Sequence, residues 1–174
     1  QHIIMIEKYR SIRNIIFDLG GVVLDIHPHQ LADNFKRLGI KDFDALYSSL
    51  RQTPLFDDLD KGLITYAYFR DELKKHAGTH ISDAAFDSAW QSILGNCSEE
   101  RIMLLKKLKK THKTFLLSNT NTYHKQLFTD MFRHCHAVDD MHDLFHEVYY
   151  SFTLKMRKPD PEIFHYVLKK HNLQ

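Results

Sequence analysis

The chain has 174 residues, of which 26% are charged and 43% hydrophobic, and its formal net charge is +2. This length suits one domain with a buried core, and the composition argues against disorder. The small net charge and the absence of a long apolar run in the sequence argue against nucleic-acid and membrane partners. Cys97 and Cys135 lie far apart in no metal-binding spacing, which is typical of a reduced, cytoplasmic protein.

The stretch IIFDLGGVVLDI, residues 15 to 26, indicates a strand that ends in an acidic residue and two glycines. Ile15, Ile16 and Phe17 are consecutive apolar residues, a pattern typical of a strand buried on both faces of a parallel sheet. Gly20 and Gly21 interrupt the strand. We therefore predict a first strand that presents Asp18 at its carboxyl end.

A run of helices without a strand follows, from His29 to Leu94. Apolar residues at helical spacing predict one helix that ends at Gly39, one that ends near Gly78 and one that Ser82 caps. The apolar positions are Leu31, Phe35 and Leu38, then Ile64, Tyr68 and Leu73, then Phe86, Ala89, Trp90 and Ile93. We predict a helical cap over residues 28–95, inserted into a core formed by residues 1–27 and 96–174.

Strands and helices alternate after the insert. A helix capped by Ser98 precedes a strand from Thr114 to Leu117, and the stretch HEVYYS is predicted to form a further strand after the next helix. Asp160 is expected to cap a last helix that begins at Pro161, with Ile163, Phe164, Val167 and Leu168 on its buried face. This alternation predicts an α/β fold with a Rossmann-like, doubly wound parallel sheet.

Three groups fall at or just beyond predicted strand ends, where ligands bind in such sheets. The groups are Asp18, the pair Ser118 and Asn119, and Lys158. A carboxylate can attack phosphorus, a hydroxyl and an amide can hold phosphoryl oxygens, and an ammonium can neutralise the charge that develops. Glycines after the carboxylate let backbone N–H groups approach the same phosphate, and Mg2+ suits the remaining negative charge.

The stretches IIFDLGGVVLDI, FLLSNTN and KMRKPDPEIF resemble, in this order, the first three motifs of the haloacid dehalogenase-like hydrolase superfamily. The helical insert resembles the cap of the branch that contains sugar-phosphate phosphatases. The resemblance implies a phosphatase that acts on a small phosphorylated metabolite through an aspartyl-phosphate. It makes Asp18 the nucleophile and a Mg2+ ligand, and the Gly20 carbonyl a second ligand. It also makes Ser118 and Asn119 phosphate-binding residues, with Gly20 and Gly21 beside them, and Lys158 the charge-stabilising lysine.

One departure from this pattern concerns the catalytic acid. Most phosphatases of the superfamily carry a second aspartate two residues after the nucleophile, where this chain has Gly20. Another group must then protonate the leaving oxygen, and Asp25 and His27 are nearby in sequence. Alternatively, the leaving group departs unaided, which is easier for an anomeric phosphate or an acyl phosphate than for an alkyl ester. The dehalogenases of the superfamily also lack this aspartate, so dehalogenation stays open. A non-catalytic phospho-acceptor or scaffold protein that uses Asp18 and Lys158 is the other alternative.

A second departure concerns the fourth motif, a strand ending in paired acidic residues that complete the metal site. It would follow the helix that begins at Pro161, and the sequence ends at Gln174. We therefore expect either a truncated sequence or an inactive relative, with an incomplete Mg2+ site and negligible hydrolysis. We also expect an exposed edge beside the first strand, which favours self-association.

Overall fold

Three short parallel strands form the sheet at the centre of the fold. The computed structural model describes residues 11–51, 53–76 and 80–173. The strands are β1 (Asn14–Phe17), β2 (Lys113–Ser118) and β3 (Glu147–Tyr150), and β2 lies between the other two. Phe17 pairs with Leu116 and Ser118 pairs with Tyr150, so the three carboxyl ends meet at one edge of the sheet.

The helices fall into a group between β1 and β2 and a group that surrounds the sheet. The first group is α1 (Pro28–Arg37), α2 (Phe43–Leu50), α3 (Pro54–Asp60), α4 (Tyr66–His76) and α5 (Asp83–Gln91). The second is α6 (Glu99–Thr111), α7 (Thr122–His136), α8 (Ser151–Leu154) and α9 (Pro161–His171). Ser82 and Ser98 cap α5 and α6 as predicted. The helix end predicted near Gly78 lies outside the described residues.

The buried residues of β2 alternate between the two faces of the sheet. Leu116 packs on one face with residues of α6 and α7, namely Ile102, Leu105, Phe128 and Phe132. Phe115 and Leu117 pack on the other face against Ile163 and Val167 of α9. Helices on both faces of a parallel sheet make the Rossmann-like, doubly wound arrangement that the sequence predicts. Within the described ranges, every helix is too short or too polar to cross a lipid bilayer.

The helices between β1 and β2 have a hydrophobic cluster of their own. Aromatic rings dominate it, with Phe35, Phe69 and Phe86 fully buried and Trp90 only 5% exposed. Phe35 stacks on Phe43 with ring centroids 4.5 Å apart. Because such rings bury large apolar areas, this cluster stabilises the insert largely through contacts among its own helices.

Two chain segments connect the insert to the sheet, and they lie side by side. The N–H of Asp25 donates to the carbonyl of Asn96 at 2.9 Å, and the N–H of Gly95 donates to the carbonyl of Asp25 at 2.8 Å. The N–H of His27 donates to the carbonyl of Ile93 at 2.8 Å. We call residues 25–27 and 93–96 the hinge, because the insert joins the rest of the chain through them.

The predicted burial of β1 on both faces is wrong. Ile16 is 38% exposed, and Ile15 and Phe17 are half-buried. Within the described residues β1 pairs with β2 alone, so its other edge faces no strand. The apolar residues of β1 therefore lie on an edge strand, where β2 is the one neighbouring strand that shields them from solvent.

The last helix also departs from the prediction in two details. Asp160 stands at the N-cap position, but its side chain makes no capping bond and lies instead 3.4 Å from Nζ of Lys61. Phe164, predicted to be buried, is 38% exposed. The narrow buried face of α9 consists of Ile163 and Val167, because a helix on an open sheet contacts it along a single stripe.

Candidate active site

A carboxylate and an ammonium meet at the carboxyl edge of the sheet. Asp18 follows β1 directly, and Lys158 lies in the loop before α9. Nζ of Lys158 is 2.8 Å from Oδ1 of Asp18 and donates to the carbonyl of Leu117 at 2.8 Å. The N–H of Leu19 donates to the same Asp18 oxygen at 2.7 Å. The Asp18 side chain remains 47% exposed, so a ligand can reach it while Lys158 balances its charge.

The side chain of Asn119 holds the backbone of Lys158. Its Nδ2 donates to the Lys158 carbonyl at 2.7 Å, and its Oδ1 accepts from the Lys158 N–H at 2.8 Å. Both the nitrogen and the oxygen of the Asn119 amide are therefore bonded to the backbone of one residue, Lys158, which is far away in sequence. This contact fixes the loop that carries the lysine against the end of β2.

Ser118 and Ser151 order the loop that follows β2. Ser118 is 2% exposed, and its hydroxyl lies 3.4 Å from the Asn119 carbonyl. The buried Ser151, at the start of α8, accepts from the Thr120 N–H and donates to the Thr120 carbonyl, both at 3.0 Å. Sequence reasoning missed Ser151, because a serine after a strand carries no signal of which distant loop it bonds.

The two glycines form a tight turn just after Asp18. Gly21 has φ +75°, a conformation that glycine adopts readily, and its N–H donates to the Leu24 carbonyl at 2.7 Å. The N–H of Leu24 donates back to the carbonyl of Leu19 at 2.9 Å. A Cβ at position 20 would lie 3.3 Å from Cγ2 of Ile26, so the turn leaves little room for a side chain there.

The two residues considered as catalytic acids belong to the hinge. Oδ1 of Asp25 lies 2.6 Å from Nη1 of Arg101 in an ion pair. His27 packs against Gly95 closely enough that a Cβ there would be 2.5 Å from its Nε2. Both side chains are therefore engaged by α6 or by the second hinge segment.

Asp18 brings a carboxylate to the edge where a divalent cation would bind. Carboxylate, phosphate and water oxygens are the ligands that Mg2+ prefers, and the ion is often held jointly by a protein carboxylate and a substrate phosphate. Among residues 11–51, 53–76 and 80–173, no group of three or more His, Cys, Asp or Glu side chains could hold a metal. Asp18 offers one carboxylate for an ion shared with phosphate, and the Gly20 carbonyl is the second ligand that the sequence predicts.

A parallel sheet with an aspartate and a lysine paired at its carboxyl edge, and a helical insert after the first strand, defines a class of hydrolases. Residues 12–174 match the haloacid dehalogenase-like hydrolases, and the chain belongs to this family. The family membership and the fold predicted from the sequence are thereby confirmed.

Three relatives illustrate the similarity. D-ribitol-5-phosphate phosphatase of Bacteroides thetaiotaomicron is 28% identical over 158 residues, which are 91% of this chain and 76% of the relative. A HAD family enzyme of the same organism, solved with magnesium and inorganic phosphate, is 33% identical with TM-score 0.81, over 94% of this chain and 80% of that one. L-2-haloacid dehalogenase of Xanthobacter autotrophicus shares the fold, at 18% identity and TM-score 0.57, over 94% and 66% of the chains.

Proposed function

We propose that the protein is a Mg2+-dependent phosphatase that acts on a small phosphorylated metabolite through an aspartyl-phosphate at Asp18. The observation that carries this proposal is the 2.8 Å pairing of Lys158 with Asp18 at the carboxyl edge of the sheet. Similarity to a D-ribitol-5-phosphate phosphatase, and to an enzyme solved with magnesium and inorganic phosphate, supports the phosphatase activity and the metal.

In the proposed reaction an oxygen of Asp18 attacks the phosphorus in line with the bond to the leaving oxygen. The P–O bond to the leaving group breaks, and the leaving oxygen keeps the electron pair and takes a proton from water. Lys158 stabilises the negative charge on the phosphoryl oxygens, and the Ser118 hydroxyl, the Asn119 backbone and the N–H groups at Gly20 and Gly21 orient the phosphate. Water then attacks the phosphorus of the aspartyl-phosphate, which releases phosphate and regenerates Asp18.

Asp18 and the Gly20 carbonyl would hold the protein's share of the Mg2+ shell. When bound, the ion would neutralise part of the negative charge of the phosphate. On this chain, the contact between Lys158 and Asp18 also keeps the nucleophile in place before substrate arrives.

We propose residues 28–95 as a cap over the site, and residues 1–27 and 96–174 as the core, although residues 1–10 lie outside the described range. The loop around Lys158 contacts the insert at three points. Nζ of Lys155 donates to the Gly62 carbonyl at 2.6 Å, and Asp160 pairs with Lys61. Arg157 pairs with Asp57 and Asp60 of α3. These contacts favour a closed cap, which would exclude water from the reaction.

Phosphate release from a panel of small phosphate monoesters, with and without Mg2+, tests the function. Because the structure brings Lys158 to Asp18, we expect turnover here, in contrast to the negligible hydrolysis expected from the sequence. The turnover is expected to require Mg2+, and Asp18→Asn is expected to lower it by about 1,000-fold or more, since the amide cannot act as a nucleophile. Asp25→Asn is the matched control and keeps turnover. Activity that survives Asp18→Asn would overturn the nucleophile assignment. Halide release from a 2-haloacid without phosphate release would instead favour a dehalogenase. Transfer of one phosphoryl group to each chain without turnover would favour a phospho-acceptor.

We also infer a cytoplasmic protein without nucleic-acid or membrane partners, whose β1 edge favours self-association. Ile12 and Ile16 are each 38% exposed along this edge, in a groove completed by Leu168 and Leu173. Exposed strand edges with apolar side chains favour pairing with other chains. Sedimentation equilibrium tests this: we expect concentration-dependent association that Ile16→Lys weakens, and a monomer at all concentrations would contradict it.

A further inference from the structure

One loop carries the proposed catalytic lysine and also contacts the helical insert. We call residues 155–160 the lysine loop. Nζ of Lys158 reaches the core, where it lies 2.8 Å from Oδ1 of Asp18 and 2.8 Å from the carbonyl of Leu117. The side chain of the residue before it, Arg157, reaches the insert instead. Two consecutive side chains of this loop therefore bind different parts of the fold.

Two carboxylates of α3 bind the guanidinium of Arg157. Its Nη1 pairs with Oδ1 of Asp57, and its Nη2 lies 3.3 Å from Oδ2 of Asp60. The Arg157 side chain is only 16% exposed, and that of Asp60 only 23%. Ion pairs that are shielded from solvent are stronger than those at the surface, and removal of one partner leaves a charge without compensation. These pairs therefore hold the lysine loop more firmly than a surface contact would.

Other residues of the lysine loop also contact the insert. Nζ of Lys155 donates to the Gly62 carbonyl at 2.6 Å, and Asp160 lies 3.4 Å from Nζ of Lys61. A Cβ at position 62 would lie 2.9 Å from a carbonyl oxygen of α8, so the two backbones approach each other closely. Among the side chains that make these contacts, that of Arg157 is the least exposed.

The end of β2 anchors Lys158 from the opposite side. Asn119 accepts from the Lys158 N–H at 2.8 Å and donates to its carbonyl at 2.7 Å. The Lys158 backbone thus lies between a contact with the core and, one residue away, a contact with the insert. A shift of about 1 Å caused far from the chemistry can lower a rate about 100-fold. The position of the ammonium therefore depends on both contacts.

We propose that Arg157 is a positioning residue for Lys158. Its ion pairs with Asp57 and Asp60 hold the lysine loop where the ammonium reaches Asp18. The proposal rests on the phosphatase function proposed above and deepens it, because it makes the placement of the catalytic lysine depend on the helical insert.

Direct binding of the substrate phosphate by Arg157 is the competing role. Both terminal nitrogen atoms of its guanidinium face carboxylates of the insert, so its positive charge is compensated within the protein. Lys158, in contrast, pairs with Asp18, the proposed nucleophile. The two neighbouring cations therefore have different tasks, one in positioning and one in the reaction.

Steady-state kinetics of Arg157→Gln test the proposal, with a small phosphate monoester that the unchanged protein hydrolyses. We expect kcat to fall about 10- to 100-fold because the lysine is displaced, and KM to change by about twofold or less. Arg157→Lys keeps the charge but lacks the planar fork, so it is expected to recover part of the loss. A rise in KM of about tenfold at unchanged kcat would show direct phosphate binding and overturn the proposal. Unchanged kinetics would overturn it as well.

A double-mutant cycle connects this effect to the insert. Asp57→Asn combined with Asp60→Asn removes both negative partners and leaves Arg157 in place. We expect this pair to lower kcat as Arg157→Gln does, and the triple variant to lie within about twofold of either, because all three variants remove one shared interaction. The triple variant replaces the charged groups by amides, so it keeps the test decisive where Arg157→Gln does not fold. A fall in KM in the paired aspartate variant would show that the released Arg157 binds phosphate, and would overturn the proposal.

Lys61→Met is the matched control, because it removes another ion pair between the insert and the lysine loop, that with Asp160. This pair is more exposed, so we expect kcat to stay within about twofold. A loss equal to that of Arg157→Gln would show that any contact with the insert has this effect, and would overturn the particular role of Arg157.

Chemical labelling of Lys158 separates this proposal from the phosphatase function. The Lys158 side chain is 20% exposed beside Asp18, so acetic anhydride should acetylate it slowly. Mass spectrometry gives its rate relative to that of Lys107, an exposed lysine of the same chain. We expect Arg157→Gln to raise this ratio about threefold or more, because the loop opens more often, and Lys61→Met to leave it unchanged. An unchanged ratio in Arg157→Gln would overturn the positioning role, whereas absence of turnover in the unchanged protein would overturn the proposed function alone.

Discussion

The amide of Asn119 spans both backbone groups of Lys158, at 2.7 Å to the carbonyl and 2.8 Å from the N–H. The residue predicted from the sequence to bind phosphate with its side chain therefore holds the loop of the predicted catalytic lysine. The side chain of the same lysine reaches Asp18 and the carbonyl of Leu117 in β2. The geometry links the end of β2 to the placement of the positive charge.

Asn119→Ala is expected to lower kcat by about 10- to 100-fold, the worth of two hydrogen bonds at roughly 1 kcal/mol each. KM is expected to change less, because the loss acts through the position of Lys158. Asn119→Asp keeps the acceptor and loses the donor, so its kcat should lie between that of the unchanged protein and that of Asn119→Ala. Steady-state kinetics measure kcat and KM of these variants, with Asn34→Ala as the control. A rise in KM at constant kcat would instead support direct phosphate binding by the side chain.

Asp25→Ala is expected to leave the pH dependence of kcat/KM unchanged, because the ion pair with Arg101 holds the carboxylate at the hinge. Both side chains are more than a third exposed, so we expect a loss in the free energy of unfolding of only about 0 to 1 kcal/mol. A pH–rate profile and a urea titration measure the two effects. Loss of one limb of the profile would show that Asp25 acts as the acid.

Gly95→Ala is expected to destabilise the hinge. A Cβ at this position would lie 2.9 Å from both the carbonyl oxygen and the Cβ of Asp25, and the backbone there cannot move without breaking its bond to Asn96. Overpacking of this kind costs about 1 to 3 kcal/mol. Thermal unfolding measures it, with Gly20→Ala as a milder comparison, because a Cβ there would meet only one close atom, Cγ2 of Ile26 at 3.3 Å. Equal effects of the two substitutions would contradict the prediction.

Asp60 is expected to make stability depend on pH. Burial raises the pKa of its carboxyl from 3.8 to about 6. The positive charge of Arg157 lowers this pKa, and the negative charge of Asp57 raises it further. The folded state then binds more protons than the unfolded state between these values. The free energy of unfolding therefore falls as pH rises from about 4 to about 6, by about 3 kcal/mol at most.

Urea titrations of the unchanged protein and of Asp60→Asn at pH 4.5 and pH 7 test this effect. The amide cannot ionise, so we expect the difference in stability to shift in favour of the variant at the higher pH. A difference that stays constant across this range would contradict the assignment to Asp60.

Several features of the site follow from the sequence because they depend on local patterns. A polar residue at the end of an apolar strand lies at the carboxyl edge of a parallel sheet, and this rule suffices to bring Asp18 and Ser118 to one region. Lys158 lies beyond α8, in the loop before α9, so its place beside them also depends on how that loop folds back. The caps at Ser82 and Ser98 are equally local, since each bonds an N–H three residues ahead.

Other features depend on contacts between distant segments, which the sequence does not reveal. The bond between Asn119 and Lys158, and that between Thr120 and Ser151, require loops 30 to 40 residues apart to meet at a particular distance. The burial of Ile16 depends on whether β1 has one neighbour or two, and its apolar pattern is the same in both cases. The short helix α8 escaped prediction because four residues show no periodicity.

The hinge has a consequence for the modularity of the chain. Ile26 and Leu94 form an antiparallel bridge, so the insert begins and ends at neighbouring points. A turn of two to five residues is enough to join adjacent antiparallel segments. We therefore expect a short turn in place of the stretch between them to join these two points without pulling β1 away from α6.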